Sequence, residues 1–154
     1  MKSTWNRIIG IWRDSSVDIR PGVSTDAINE FQNRHNVVMP EAVCDFFRTT
    51  DGTGDDMDND MYRFWPLQEV KLVEDELADT ENGTVYDDRY AYPNCFVFAD
   101  YCIWCWAYAV RLTDDPNQPA PVFRVTADKK PGEQMASSFI EFMSQYAEYP
   151  DNII

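Results

Sequence analysis

The residues best suited to metal or redox chemistry in this chain are Cys102 and Cys105, which are spaced as C-x-x-C. Such a pair can form a redox disulfide or supply two of the four ligands of a zinc site. A thioredoxin-type pair lies at a helix N-terminus, whereas we expect these residues on a strand, pointing to opposite faces. Zinc would lack ligands, because the chain has one histidine and no second C-x-x-C. We interpret both residues, with Cys44 and Cys95, as buried reduced thiols.

Nucleophilic catalysis has little support in this sequence. His35 is the only histidine, and its polar neighbours, residues 32–36, predict a surface position near a helix C-terminus. No nucleophile elbow, P-loop or dinucleotide-binding motif occurs. A two-carboxylate hydrolase stays open, since any two of the 27 Asp and Glu residues could meet in space, but their abundance makes this weak support. We therefore expect no catalytic residue, no enzymatic activity and no cofactor.

Carboxylates dominate the charge of the chain. The 27 acidic residues outnumber 13 Lys and Arg, which gives a formal net charge of −14 and an isoelectric point near 4.2. Such a surface disfavours direct binding of nucleic acids and anionic membranes and favours a basic protein partner. Two clusters stand out, the first formed by Asp51, Asp55, Asp56, Asp58 and Asp60 and the second by Glu74, Asp75, Glu76, Asp79 and Glu81.

These clusters supply the candidate partner-binding residues. We select Asp55, Asp56, Asp58, Asp60, Glu74, Asp75 and Glu76. The alternative is that both clusters are solvated segments that keep an acidic protein soluble. The run from Asp56 to Asp60 also begins like a calcium-binding EF-hand loop, but Met61 and Leu67 stand where that loop needs Gly and Glu. We therefore expect no dedicated metal site.

Helices at both ends and a sheet between them are predicted to position these residues. Helical spacing occurs in four groups: Trp5, Ile8, Ile9 and Trp12; Ile28, Phe31 and Gln32; Val43, Phe46 and Phe47; and Met135, Phe139, Phe142, Met143 and Tyr146. Ser24, Thr25 or Asp26 can cap the second helix, Pro40 suits the start of the third, and Gly52 follows its end. Strands are predicted at 61–65 and 121–126, whereas 70–77 is ambiguous.

The aromatic stretch from Cys95 to Leu112 is predicted to form the centre of the sheet. From Cys102 onward every second residue is large and apolar and most of the others are small, which predicts a strand with one well-packed face. Asp100 interrupts the alternation, and we expect a bend there, because a short carboxylate can bond its own backbone. We assign Trp106 to the core.

Length and composition are typical of one α+β domain with a central, largely antiparallel sheet flanked by α-helices. The 154 residues are 44% hydrophobic, which is enough to bury a sizeable core. Residues 1–23 are assigned to an N-terminal helix and linker and 24–154 to the rest of the domain. The sequence lacks a membrane-spanning apolar run and the h-region of a signal peptide, so we expect a cytoplasmic protein.

In the order of its motifs the chain resembles the SUKH superfamily, which includes the yeast cell-wall synthesis regulators and many bacterial immunity proteins. The similar segments are Ile28-Asn29-Glu30-Phe31, Val37-Val38-Met39-Pro40-Glu41, Phe46-Phe47, Asp51-Gly52, Phe64-Trp65-Pro66-Leu67-Gln68-Glu69-Val70, Phe96-Val97-Phe98-Ala99-Asp100-Tyr101 and 135–142. They run from about residue 24 to the C-terminus in the family's order. That order carries more weight than any single motif.

The resemblance implies an immunity protein that binds and neutralises a cognate toxin, which in this family is often a nuclease or another nucleic-acid-directed enzyme. Such toxins are commonly basic, which agrees with the charge of this chain. The alternative that the resemblance implies is an intracellular regulatory or scaffold module. The yeast regulators carry long disordered arms, which this chain lacks. Neither the toxin's identity nor the oligomeric state follows from the sequence.

The deficient ligand set predicts that protein purified without chelators carries no stoichiometric metal and has no catalytic activity. Elemental analysis measures the metal content directly. Stoichiometric zinc, together with loss of the fold on Cys102→Ser, would contradict this prediction.

Overall fold

The computed structural model describes residues 1–78, 93–127 and 132–154, so Asp79 and Glu81 of the second acidic cluster lie outside the described residues. The elements follow in the order α1 (Lys2–Asp14), α2 (Thr25–His35), α3 (Glu41–Thr49), β1 (Tyr62–Phe64), β2 (Lys71–Leu72), α4 (Val73–Ala78), β3 (Cys95–Tyr101), β4 (Trp106–Arg111), β5 (Val122–Val125), β6 (Gln134–Ala136), α5 (Phe139–Glu148) and a 3-10 helix (Pro150–Ile153). This α+β architecture confirms the predicted fold class.

All six strands in the described part of the chain form one antiparallel sheet. The order is β1-β3-β4-β5-β6, and β2 shares the outer edge of β3 with β1. Tyr62 in β1 lies opposite Tyr101, near the C-terminal end of β3, and Lys71 in β2 lies opposite Val97. The segment between β1 and β2 therefore runs along one edge of β3.

Helix α5 covers one face of the sheet with aromatic side chains. The Phe142 ring lies 5.7 Å from Phe98 and 5.0 Å from Tyr108, measured between centroids. The Phe46 ring of α3 lies 5.7 Å from Phe139 and 5.8 Å from Trp5 of α1, so α1 and α3 pack beside α5. The predicted apolar faces of these helices are therefore the core of the fold.

The predicted start and stop signals of the helices act as expected. Ser24 caps α2, because its Oγ accepts a hydrogen bond from the Ala27 N–H at 3.2 Å. Gly52, just beyond α3, has a φ of +73°. A Cβ there would lie 2.3 Å from the Phe64 carbonyl oxygen, so only glycine fits this approach of the chain to β1.

The predicted boundary between the two central strands is wrong. Residues 102–105 form a turn, and Asp100, where we expected a bend, lies inside β3 with 4% of its surface exposed. Cys102, Ile103 and Trp104 have φ values of 51°, 55° and 64°, and the Cys105 N–H donates to the Tyr101 carbonyl at 2.8 Å. This is one turn of left-handed helix, which alternation of residue size cannot reveal.

Burial on β4 also differs from the sequence prediction, which gave this strand one well-packed face. Ala107 and Ala109 are as fully buried as Tyr108 between them, so both faces of β4 are packed. Trp106, which we assigned to the core, is half-exposed and stacks on Tyr101 with 4.4 Å between ring centroids. Cross-strand stacking at the sheet end therefore replaces core burial for this tryptophan.

Two further assignments need correction. Met135 lies in β6 and not in the closing helix, which begins only at Phe139 after the Ser138 cap. His35 ends α2 as expected but is half-buried, 4.6 Å from the Phe31 ring and 5.0 Å from the Phe96 ring. Burial, assisted by the neighbouring Arg34, lowers the pKa of His35.

The cysteines divide into two pairs. Cys44 and Cys95 are buried free thiols, as the sequence predicted. Cys102 is half-exposed and Cys105 is exposed, so the core interpretation is wrong for the C-x-x-C pair. Both residues lie on the left-handed turn, where the Cys105 Sγ lies 3.1 Å from the Cys102 carbonyl oxygen.

Replacing Phe142 by Ala is expected to lower the free energy of unfolding by roughly 3–5 kcal/mol, because this fully buried ring packs against Phe98 and Tyr108 of the sheet. Chemical denaturation measures the change. Tyr149→Ala is the control, since Tyr149 is 58% exposed and should cost less than about 1 kcal/mol. Equal losses in the two variants would show that the assigned core face is wrong.

Candidate functional site

The first acidic cluster forms the loop that leads into β1. Asp55 and Asp60 are exposed and face solvent. Asp56 is also exposed, but one carboxylate oxygen accepts a hydrogen bond from the Asp18 N–H at 3.0 Å and so holds the loop to the segment after α1. Among the described contacts, the carboxylates of Asp55 and Asp60 thus hold no backbone group in place.

Asp58 has a different position, because it is 4% exposed and turned inward. Its Oδ1 accepts hydrogen bonds from the Asp60 and Tyr62 N–H groups at 3.0 and 2.9 Å, and its Oδ2 accepts one from the Tyr146 hydroxyl. The Trp12 Nε1 in turn donates to that hydroxyl at 2.8 Å. The buried surroundings raise the pKa of Asp58. Asp58 therefore joins α1, α5 and the acidic loop and presents no free carboxylate to a partner.

The second cluster lies on α4 at the edge of the sheet. Glu74 and Asp75 are exposed, while Val73 and Leu77 anchor the helix in the core. Glu76 is half-buried and forms an ion pair with the Lys71 Nζ at 2.8 Å. It also accepts a hydrogen bond from the Trp104 Nε1 at 2.8 Å, which connects α4 to the left-handed turn.

A cleft of about 500 Å³ lies beside the second cluster, with Glu76 in its wall. It is lined by Arg63, Trp65, Gln68, Glu69, Lys71, Glu76 and Trp104. Arg63 reaches toward the first cluster, with 3.7 Å between its Nη2 and the Asp55 carboxylate, and Lys71 pairs with Glu76 of the second. The structure thus brings Asp55 and Glu76, which are distant in sequence, to the borders of one cleft.

Cations and aromatic rings alternate along the cleft wall. The Arg63 Nη2 lies 2.5 Å from the Glu69 carboxylate, and the guanidinium lies 5.5 Å from the centre of the Trp65 ring. The Lys71 ammonium, which pairs with Glu76, lies 6.0 Å from the centre of the same ring. Such a wall can exchange its internal ion pairs and cation–π contacts for those of a charged partner.

The cleft is held in shape by the buried carboxylate of Asp100. Its Oδ2 accepts a hydrogen bond from the Trp65 Nε1 at 2.6 Å and lies 3.7 Å from an Arg63 nitrogen. Its Oδ1 accepts one from the Trp104 N–H at 3.2 Å. One carboxylate therefore orients both tryptophans and the arginine of the cleft.

The sequence prediction missed most of this cleft. The acidic clusters drew attention to Asp55 and Glu76, but not to Arg63, Trp65 or Lys71. A signal was present, because Arg63 and Trp65 have the period-two spacing that places residues on one face of an extended segment. The pairing of that face with Asp100 depends on strand register, which no local pattern states.

Neither a metal-holding group of side chains nor a membrane-spanning helix occurs in the described part of the chain. In residues 1–78, 93–127 and 132–154, no three His, Cys, Asp or Glu side chains are grouped so that they could hold a metal ion. None of the helices in these ranges is long and apolar enough to span a bilayer.

Comparison with protein families gives one match. The model of the SMI1 / KNR4 family (SUKH-1) matches residues 22–145. This range contains the described sheet, helices α2 to α4 and all residues that line the cleft, while α1 precedes it. A search of curated proteins found no match.

Asp58→Ala is expected to lower the free energy of unfolding by about 2–4 kcal/mol, because three donors, two of them buried, lose their acceptor. Chemical denaturation of purified variants gives the value. Asp60→Ala is the matched control and should change stability by less than about 0.5 kcal/mol, since its exposed carboxylate supports no buried group. If both variants were equally stable, Asp58 would not have the structural role described.

Proposed function

This chain belongs to the SMI1/KNR4 (SUKH-1) family, and from that membership we propose that it is an immunity protein that binds a cognate bacterial toxin domain and blocks it non-covalently. The family includes toxin immunity proteins and SMI1/KNR4-type regulators, and its members bind partner proteins and are in general not enzymes. Inhibition by binding needs no catalytic residue in this chain. It needs a surface that matches the toxin.

The observation that carries the proposal is that one carboxylate of each acidic cluster, Asp55 and Glu76, lies within ion-pair distance of a cation in one aromatic cleft. Asp55 is exposed beside Arg63 of the cleft, and Glu76 lines the cleft next to Lys71. Asp60, Glu74 and Asp75 are further exposed carboxylates of the same two clusters. With a net charge of −14, the whole molecule adds to the negative potential at this surface. A basic toxin domain is therefore the partner that the surface favours.

Binding would proceed in two physical stages. Long-range attraction between the acidic surface and a basic domain accelerates encounter, and this stage weakens as salt screens the charges. In the second stage Arg63 and Lys71 exchange intramolecular partners for carboxylates of the toxin, while the half-exposed Trp104 supplies a ring for its cations. A nuclease whose phosphate-binding surface is covered in this way cannot reach its substrate.

The proposal places the protein in the cytoplasm of a cell that must be protected from the toxin. The reading frame beside this gene is the natural source of the candidate toxin domain. If its product does not bind, the alternative of an intracellular regulatory or scaffold module becomes the better proposal.

Converting Asp55 and Asp60 together to Asn should lower the association rate with the product of the neighbouring reading frame by about two- to tenfold and weaken its salt dependence. Asp58 is left unchanged because it holds the fold, and Asp56 because it binds the Asp18 backbone. Stopped-flow association at several ionic strengths measures both quantities. The fold should be unaffected, since both side chains are exposed.

The matched control is Asp114→Asn with Asp115→Asn, which removes the same charge at exposed positions beyond the far end of β4. It should change the rate less than the loop variant does. Equal effects of the two variants would show that net charge and not this surface steers binding. An unchanged rate and salt slope in the loop variant would exclude the loop as a contact site.

A further inference from the structure

Two exposed apolar residues lie at neighbouring backbone positions at one end of the sheet. In the described part of the chain, the large hydrophobic residues that are exposed are Met1, Met61, Ile103, Tyr149 and Ile154. Three of these lie within six residues of a chain end, where exposure is ordinary. The other two, Met61 at 37% and Ile103 at 79%, are neighbours, because the Cys102 N–H donates to the Met61 carbonyl at 2.9 Å.

Both residues also have a backbone conformation that their side chains disfavour. Ile103 is the centre of the left-handed turn, with a φ of 55°, and Met61 has a φ of 71°. A β-branched residue is a clear outlier in this region, where glycine or asparagine would be the ordinary choice. Ile103 gains little from burial in return, since four fifths of its surface remains in water.

The surrounding contacts keep this strained end in one conformation. The Trp104 N–H and indole N–H donate to Asp100 and Glu76, and the Met61 N–H donates to the Asp58 carbonyl at 3.1 Å. Strained residues that are held so firmly occur preferentially at functional sites. The exposed isoleucine on this turn is therefore positioned for contact with a partner, because it does not stabilise the fold.

We infer that Met61 and Ile103, named here the apolar tip, are the hydrophobic anchor of the partner-binding surface and enter an apolar pocket on a basic protein. The inference rests on the proposed function and deepens it. Protein interfaces combine a buried apolar centre with a polar rim, and the exposed carboxylate of Asp60 directly precedes Met61 of the tip on a protein with a net charge of −14. The matching pocket is therefore rimmed by Lys or Arg.

The deciding variant is Ile103→Asn, because asparagine accepts the left-handed backbone while it removes the apolar surface. Calorimetry against the product of the neighbouring reading frame should show an affinity loss of about 10- to 30-fold, with a faster dissociation rate. The melting temperature of the variant should be unchanged or about 2–4 °C higher through relief of strain. Ile154→Asn, which alters an exposed isoleucine at the C-terminus, should bind within about twofold of the parent.

Ile103→Gly serves as a second variant, since glycine also relieves the strain and removes the side chain. If both Ile103 variants bind as tightly as the parent, the tip is not the anchor, although the proposed function stands. If the parent itself fails to bind, the proposed function falls and the anchor with it. A dimer of the protein alone that dissociates on Ile103→Asn would make a second copy the occupant and overturn the inference.

Discussion

The buried carboxylate of Asp100, near the C-terminal end of β3, is the constraint on which the cleft depends. A buried charge costs several kcal/mol unless donors and an opposite charge compensate it. Here the compensation comes from the Trp65 indole, the Trp104 backbone and the nearby Arg63 guanidinium. The edge strand, the central strand and the turn must therefore converge on one point, and the cleft exists because they do.

Asp58 imposes a second constraint of the same kind on the helical side. Its two oxygens accept hydrogen bonds from the Tyr62 N–H, where the acidic loop ends, and from the Tyr146 hydroxyl. The Trp12 indole donates to that hydroxyl and completes the network. Helices α1 and α5 and the loop are thereby fixed relative to one another. The exposed carboxylates of the same loop face solvent from a rigid base, and rigidity limits the entropy that is lost when a partner binds.

The left-handed turn connects the sites of these two buried carboxylates to the proposed function. Folding would be served as well by asparagine or glycine at its centre, yet the chain places an exposed isoleucine there and holds it with Asp100 and Glu76. In the proposed complex, the cleft with Asp55 and Glu76 and the apolar tip with Asp60 would together contact the partner. Charge would then govern the rate of encounter, and the buried apolar contact would govern the lifetime of the complex.

Much of the architecture was predictable from local pattern. The apolar faces of α1, α2 and α3, the Ser24 cap, the glycine after α3 and the α+β class depend on spacing and backbone preference, which the sequence states directly. The same holds for the ordered motifs that suggested the family, which the match over residues 22–145 then showed. Local pattern could not separate Asp58 from Asp55, since both stand in one acidic run.

Only the tertiary structure decided which carboxylates are buried, where β4 begins and which residues line the cleft. Residues 102–105 show the same size alternation as β4, which follows them, so no local signal marked the left-handed backbone of this turn. The cleft depends on antiparallel register, which places Arg63 opposite Asp100. Spacing and composition are properties of neighbours in sequence. Register and burial are set by contacts between distant residues, whose energies appear only when the chain is folded.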